Sequence, residues 1–249
     1  MIIIKSRDEI EKMRRAGEIV AETHRRLREW IVPGVTTLEL DRLVEEFQRS
    51  QGAIPAQKGY QGFPYTICAS VDDEICHGFP SDKPLEEGQL ITIDMVVEFD
   101  GYMADSAWSY GVGQVSEEVE KLMKVTKECL YLGIEQAQVD KRLGDVGHAI
   151  QTHAENHGYQ VVRDFVGHGI GKEMHEEPKV LHYGSPNRGA RLQNGMVLTI
   201  EPMINTGRWN SRLDSNGWTA RTVDGSLSCQ YEHTIAITKN GPLILTEQD

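Results

Sequence analysis

The stretch LITIDMVVEFDGYMADSA, residues 90–107, decides how the central part of this chain folds. It contains two apolar, β-branched runs joined by Asp100-Gly101, and an Asp-Gly pair between such runs predicts a β-hairpin. Asp94 stands in the middle of the first run and Asp105 in the second, so the hairpin places the two side chains close together. Burial of an unpartnered carboxylate costs several kcal/mol. We therefore expect a cation, a hydrogen-bond cluster or a raised pKa to compensate for them.

The composition is that of a globular protein, with 249 residues, 39% hydrophobic and 26% charged. A formal charge of −12 argues against broad or sequence-specific nucleic-acid binding, which needs a basic face. No stretch approaches the ~20 apolar residues of a membrane helix. The four cysteines form no CxxC pair, as is typical of a reducing compartment. We expect a cytoplasmic protein without membrane contact.

Capping signals and apolar residues at helical spacing predict four amphipathic helices. Their predicted extents are from Ser6 to the Pro33-Gly34 pair, from Thr36 to Gly52, from Ser116 to about Glu135, and from about Arg142 to Asn156. Beyond residue 160, repeated turn signals predict mainly strands. His24 and His153 lie on apolar stripes of the first and fourth helices, so we expect packed or boundary histidines without a ligand role.

A short internal repeat relates the two halves of the chain. PLEEGQLITIDM, residues 84–95, and RLQNGMVLTIEPM, residues 191–203, share a leucine, a glycine and a Thr-Ile pair at equivalent positions. Glu201 stands in the second copy where Asp94 stands in the first. The apolar positions of the second predicted helix recur in the fourth at almost the same offset.

The repeat predicts an α+β fold with two pseudo-symmetric halves, each combining helices with an antiparallel sheet. No low-complexity linker divides the halves, and neither half holds a complete set of acids. We therefore expect one catalytic domain, residues 1–249, whose halves of about 1–110 and 111–249 meet at a central site.

The second half places further polar residues where apolar ones are usual. FVGHGIGKEMHEEP sets His168 between glycines and follows it with His175. Glu201 ends one β-branched run, and Glu232 begins another. With the two hairpin aspartates, these acids and His168 form a hard, oxygen-rich ligand set whose four negative charges two divalent cations would balance. A pair of cations activates a water nucleophile and polarises a carbonyl.

The alternative is that each acid caps a turn or pairs with one of the 26 basic residues. Four acids together with a glycine-flanked histidine favour the metal interpretation. Neither an EF-hand loop nor an HExxH helix is present in the sequence, which excludes those two kinds of metal site.

The order TID, ADS, GHGIG, HEEP, TIEPM and QYEHT along the chain resembles the bacterial-type (type I) methionine aminopeptidases, from the first helix to the last strand. The resemblance implies a pita-bread fold, two pseudo-symmetric halves around a dinuclear metal site. It also implies an enzyme that removes the initiator methionine from nascent polypeptides with a small second residue. A metal-bridging hydroxide would attack the first peptide bond.

Carried over by motif, the resemblance implies five metal ligands. Asp94 would hold one metal, His168 and Glu201 the other, and Asp105 and Glu232 would bridge both. Glu201 is also the candidate proton shuttle. The implied cofactors are two divalent ions, with Mn, Fe(II) and Co suiting one nitrogen among oxygens and Zn a further candidate.

Two histidines are implied to contact the substrate. His77 would contact its amino group or the scissile amide, and His175 would donate to the carbonyl as charge develops there. The implied substrate-binding residues, which form the methionine pocket, are Tyr60, Phe63, Cys68, Met203, Trp218 and Gln230. Three positions depart from the usual pattern, since Gln57 replaces a cysteine, Met174 an aromatic residue and Ala104 a glycine. These departures bear on the shape of the pocket.

Two alternatives stay open. Prolidases and aminopeptidase P share the fold but usually carry a sizeable N-terminal domain, whereas the first catalytic-type motif here begins near residue 70. A non-catalytic pita-bread protein that binds peptides would lack metal ligands, and all five are present. The implied partners are N-terminal methionines of peptides and nascent chains, with transient ribosome contact through the catalytic domain. The implied oligomeric state is a monomer.

Overall fold

The computed structural model describes residues 1–248, which contain four α-helices, a short 3₁₀ turn and fifteen strands. The helices are α1 (Arg7–Trp30), α2 (Thr37–Ser50), α3 (Glu117–Gln136) and α4 (Leu143–Asn156), and the 3₁₀ turn is Tyr60–Gly62. The strands are β1 (Ile54–Pro55), β2 (Cys68–Val71), β3 (Glu74–Cys76), β4 (Leu90–Phe99), β5 (Tyr102–Gly111), β6 (Gln160–Val161), β7 (Gly167–Gly169), β8 (Glu176–Val180), β9 (Val197–Ile200), β10 (Met203–Asn205), β11 (Ser211–Leu213), β12 (Ala220–Thr222), β13 (Ser228–Gln230), β14 (His233–Thr238) and β15 (Gly241–Ile244). None of the helices in this range is long and apolar enough to cross a membrane.

The helices begin where the capping signals predict. The Ser6 hydroxyl accepts the Glu9 N–H at 3.3 Å while the Glu9 carboxylate accepts the Ser6 N–H at 2.8 Å, which completes a capping box. Thr36 and Ser116 cap α2 and α3 by accepting backbone N–H groups at 3.1 and 3.3 Å. These bonds satisfy donors that the first turn of a helix leaves unpaired.

The predicted hairpin is confirmed as β4 and β5. Asp100 (φ 53°) and Gly101 (φ 76°) form its two-residue turn, and both have the positive φ that a type I′ turn requires. Asp94 pairs with Ala107, which lies two residues from Asp105 on the same strand. The two aspartates are therefore diagonal neighbours on one face of the hairpin.

The internal repeat reappears in the backbone. Gly88 and Gly195, which match in the sequence repeat, both have φ +92° and precede β4 and β9. Each half also contains an isolated antiparallel bridge between the residue before a helix and the segment before the matching strand. Thr36, before α2, bridges to Pro84, before β4; Arg142, before α4, bridges to Arg191, before β9. The equivalent acids Asp94 and Glu201 consequently emerge from matching positions, within β4 and directly after β9.

The sheets and helices surround a common core. One sheet has the order β1-β4-β2 with β5 paired to β4, and the largest has the order β15-β14-β9-β7-β8. Helix α1 packs across β4 and β5, whereas α3 and α4 pack against each other. The main hydrophobic cluster contains fully buried side chains of both halves, such as Val20 in α1 and Ile237 in β14.

A buried ion pair fixes the N-terminal segment. The Lys5 ammonium contacts the Glu176 carboxylate with side chains only 3% and 6% exposed, and the Lys5 N–H donates to Gly195 O at 2.8 Å. Glu176 opens β8 and directly follows His175. The first residues of the chain therefore support the loop that carries this histidine.

We predict that Lys5→Met lowers the free energy of unfolding by about 3–5 kcal/mol, because Glu176 is left as an uncompensated buried charge. Denaturant titration measures the loss. Lys83→Met is the matched control, since Lys83 pairs with Glu86 at 69% exposure on both sides, and it should change the value by less than about 1 kcal/mol. Equal losses in the two variants would contradict a special role for the buried pair.

Candidate functional site

All of the site residues predicted from the sequence line one cavity of about 330 Å³. The predicted residues that it brings together are Tyr60, Phe63, Cys68, His77, Asp94, Asp105, His168, His175, Glu201, Met203, Trp218, Gln230 and Glu232. Of the three positions that depart from the usual pattern, Gln57 and Met174 also line the cavity, while Ala104 is fully buried in β5.

Four carboxylates converge at one end of this cavity. Asp105, Glu201 and Glu232 are buried, and Asp94 is partly exposed. Burial and the Asp94 charge raise the pKa of Glu201 to about 8, and burial raises that of Asp94 to about 6. The pKa values of Asp105 and Glu232 lie well above their usual range, through burial and then repulsion by the other acids. The ionised form of this cluster is therefore unfavourable without a compensating positive charge.

Nothing basic balances these charges. Among residues 1–248, those that line the cavity include no lysine and no arginine. Asp105 Oδ1 and Glu232 Oε1 are buried and accept no hydrogen bond from any described residue. The alternative of separate pairing with basic residues is therefore wrong for this cluster. Ligand atoms of Asp105, His168 and Glu232 all lie within 4.8 Å of one another, close enough to share one cation.

His168 presents a lone pair to the carboxylates. Its Nδ1 lies 2.9 Å from Gly169 O, and a carbonyl oxygen can only accept, so Nδ1 carries the proton. Nε2 lies 3.7 Å from Asp105 Oδ2 and 3.6 Å from Glu201 Oε1, too far for hydrogen bonds. Burial lowers the pKa of His168 to about 4, so the ring is neutral near pH 7. This is the tautomer and spacing that a metal-binding imidazole requires.

Two residues that sequence reasoning missed hold Glu201. The Thr199 hydroxyl donates to Glu201 Oε1 at 2.7 Å, and the Glu201 N–H donates to His182 Nε2 at 3.1 Å. His182 is only 1% exposed. Thr199 belongs to the Thr-Ile pair of the internal repeat, so the repeat could have indicated its proximity to Glu201. Nothing in the sequence around His182 indicates such a contact.

Asp105 and Glu232 are fixed through their backbones. The Thr234 hydroxyl accepts the Asp105 N–H at 2.9 Å and donates to Asp105 O at 2.8 Å. The Ser106 hydroxyl donates to Glu232 O at 2.7 Å, and the Glu232 N–H donates to Ala107 O at 2.8 Å. These bonds join β5 to Glu232 and to β14, so the backbone fixes the relative positions of the two acids.

His175 lies beside this carboxylate end. Its ring centre is 4.3 Å from that of His168, and its Nδ1 is 2.8 Å from the Tyr60 hydroxyl. Burial lowers the pKa of His175 below its usual value. Sequence reasoning placed Tyr60 in the cavity wall, and the structure adds its hydrogen bond to this histidine.

His77 approaches the cavity from the other side. Its backbone has φ 56°, an unusual conformation for a residue other than glycine, and such outliers often occur at functional sites. The ring packs edge-on against Phe165 at 5.5 Å and lies 6.3 Å from Trp218. Burial lowers its pKa to about 4. Phe165 was missed, although it lies just before the glycine-flanked histidine motif.

The remaining walls of the cavity are largely apolar. Phe63 is buried and packs edge-on against Trp218 at 5.2 Å, while Met203 is 2% exposed. Gln57 Nε2 donates to Cys68 Sγ at 2.7 Å, so the Gln57 amide is hydrogen-bonded within the wall. The cavity thus combines a carboxylate cluster with hydrophobic walls.

Comparison with known proteins places this geometry in a family. The model of metallopeptidase family M24 matches residues 11–239. A protein of Clostridium acetobutylicum named methionine aminopeptidase is 52% identical over 247 residues, covering 99% of each chain. The crystal structure of methionine aminopeptidase from Rickettsia prowazekii superposes with a TM-score of 0.98 at 44% identity, covering 99% of this chain and 100% of that one.

A prolidase from Pyrococcus horikoshii is also similar in structure, with a TM-score of 0.81 at 26% identity, and this chain covers 65% of it. The α+β pita-bread fold predicted from the sequence is confirmed by these likenesses. Since the family model matches most of the chain and the similar proteins align along its whole length, the chain belongs to metallopeptidase family M24.

Proposed function

We propose that this protein is a methionine aminopeptidase, which removes the initiator methionine from polypeptides whose second residue is small. The observation that carries the proposal is the single cavity that brings a carboxylate cluster together with apolar walls. Its full-length relative from Clostridium acetobutylicum bears this name, and the prolidase is a more distant match.

We assign the metal ligands as Asp94, Asp105, His168, Glu201 and Glu232. The unpartnered buried oxygens and the free imidazole nitrogen fit divalent cations. Two ions would offset the four negative charges, and Mn, Fe(II) or Co suit this donor set, with Zn a further candidate. When bound, such ions supply Lewis acidity and an activated water.

The remaining residues bind and orient the substrate. The methionine side chain packs against Phe63, Cys68 and Met203, and Trp218 and Gln230 complete its surroundings. These apolar contacts account for a preference for methionine as the first residue.

Three side chains handle protons and charge. Donation from the Tyr60 hydroxyl to His175 Nδ1 leaves Nε2–H to donate to the carbonyl oxygen as negative charge develops there. His77 contacts the substrate amino group or the scissile amide. Glu201, whose Oε1 is held by the Thr199 hydroxyl, accepts at Oε2 the proton lost by the attacking water and delivers it to the leaving nitrogen.

The experiment that tests the function is a tripeptide assay. Chelator-stripped protein receives Mn, Fe(II), Co or Zn singly, and release of the first residue is measured from Met-Ala-Ser, Leu-Ala-Ser and Ala-Pro-Ser. We expect metal-dependent release of methionine alone, abolished by Asp94→Ala or Glu232→Ala. Cleavage of Ala-Pro-Ser would replace the proposal with a prolyl peptidase, and inactivity with every metal would favour a binding protein.

We predict that His175→Ala lowers kcat for Met-Ala-Ser by on the order of 10²-fold or more with little change in KM, as expected when a donor to the developing negative charge is lost. Steady-state kinetics with the metal-loaded enzyme measures both constants. His148→Ala, which alters an exposed histidine on α4, serves as the control and should keep kcat. A change confined to KM would instead assign His175 to binding.

We predict that Asp105→Asn raises the melting temperature of chelator-stripped protein and shrinks the further rise that added Mn or Co produces. The folded pKa of Asp105 lies above its unfolded value, so ionisation on raising the pH costs the native state stability. The advantage of the variant should therefore grow as the pH rises above about 4, where an aspartate of the unfolded chain ionises. Thermal unfolding over that range measures it.

The control for this prediction is Asp41→Asn. Asp41 is also buried, but its carboxylate accepts the N–H groups of Thr66 and Ile67 at 2.8 and 3.0 Å, and it lies outside the cavity. Its replacement should leave the metal-dependent rise unchanged. A metal-dependent rise that is the same in Asp105→Asn and in the unmodified protein would reject Asp105 as a ligand.

A further inference from the structure

A second cluster of metal-ligating side chains lies away from the cavity, where α3 and α4 pack together. Glu128 projects from α3, His153 from α4, and His157 directly follows the last residue of α4. One ligand atom from each lies within 4.8 Å of the other two. Within residues 1–248, the only other group meeting this criterion is the one in the cavity, and the two share no residue.

His157 is held in a metal-binding tautomer. Its Nδ1 lies 2.8 Å from His153 O, which can only accept, so Nδ1 carries the proton and Nε2 keeps its lone pair. His168 in the cavity has the same arrangement, with Nδ1 donating to Gly169 O. Donation of the second ring N–H to a carbonyl is the usual support of a metal-bound histidine.

Glu128 and His153 supply the other two ligand groups, although the sequence led us to expect no ligand role for His153. His153 Nε2 lies 2.8 Å from Glu128 Oε2, and the His153 and His157 ring centres are 4.5 Å apart. The two histidines are four residues apart, which brings them to one side of the helix end. A cation bound here would take the place of the proton that His153 Nε2 shares with the carboxylate, and the neutral ring would then carry its one proton at Nδ1 after exchange with solvent.

The surroundings allow a cation to enter. The His153 and Glu128 side chains are 23% and 39% exposed, and a shallow groove of about 560 Å³ adjoins them. Lys124 Nζ lies 4.0 Å from Glu128 Oε1, but the Lys124 side chain is 76% exposed. Solvent screens a charge so exposed, and the ammonium can turn away from an incoming ion.

From this geometry we infer that Glu128, His153 and His157 form a separate surface site for a single transition-metal dication of the Zn²⁺ or Ni²⁺ class. Two imidazoles and one carboxylate are a donor set that zinc takes in proteins, and they leave one coordination position open. Because its ligands come from α3 and from the end of α4, the bound ion ties the two helices together. This site is distinct from the proposed catalytic centre.

The test counts zinc equivalents. Chelator-stripped protein, His157→Ala and the control His148→Ala are each dialysed against buffered Zn²⁺, and bound zinc is measured per chain. We expect His157→Ala to bind one equivalent fewer than the other two proteins while cleaving Met-Ala-Ser at the same rate. His148 is an exposed histidine of the same helix that lies outside the cluster, so it reports non-specific binding.

Equal zinc content in all three proteins, or an equal loss in His148→Ala, would overturn the inference. His153→Ala provides a second variant, and it should lose the same equivalent. The comparison is a difference between variants, so it stands whether the cavity binds two ions, one or none. Failure of the proposed peptidase activity is therefore distinguishable from failure of the surface site.

Discussion

The constraint on which the rest of the structure depends is the gathering of four carboxylates, three of them buried, in one cavity whose described walls carry no lysine or arginine. Burial raises the pKa of all four, and repulsion by neighbouring acids raises that of Asp105, Glu201 and Glu232 further. Ionised carboxylates this close repel one another, so the backbone has to hold them in place. The hydrogen bonds of the Thr234 and Ser106 hydroxyl groups, which join β5 to β14 and to Glu232, do so.

The internal repeat explains how one chain assembles such a cluster. Gly88 and Gly195 adopt the same left-handed conformation ahead of matching strands, and so Asp94 and Glu201 arrive from equivalent positions. Each half alone offers only part of the proposed ligand set. The halves share one hydrophobic core, and this packing supplies the favourable free energy that opposes the repulsion at the centre.

Sequence reasoning succeeded where the signal is local. An Asp-Gly turn between β-branched runs fixes the pairing of β4 with β5, and the glycines around His168 mark a close approach of the backbone. It missed contacts between segments that are distant in the chain, such as His182 with Glu201 or Lys5 with Glu176. Such pairs depend on the register of a complete sheet, which no periodicity within either segment encodes.

The carboxylate cluster of the cavity and the surface cluster of Glu128, His153 and His157 differ in how far their polar groups are satisfied without a cation. In the surface cluster, Glu128 and His153 already satisfy each other by a hydrogen bond, so the fold bears little cost without an ion. In the cavity, Asp105 Oδ1 and Glu232 Oε1 have no such partner among residues 1–248. Unpaired buried carboxylates lower the stability of the protein, and such destabilising groups are expected at functional sites. The physical argument for a metal is therefore strongest where the protein alone leaves its polar groups unsatisfied.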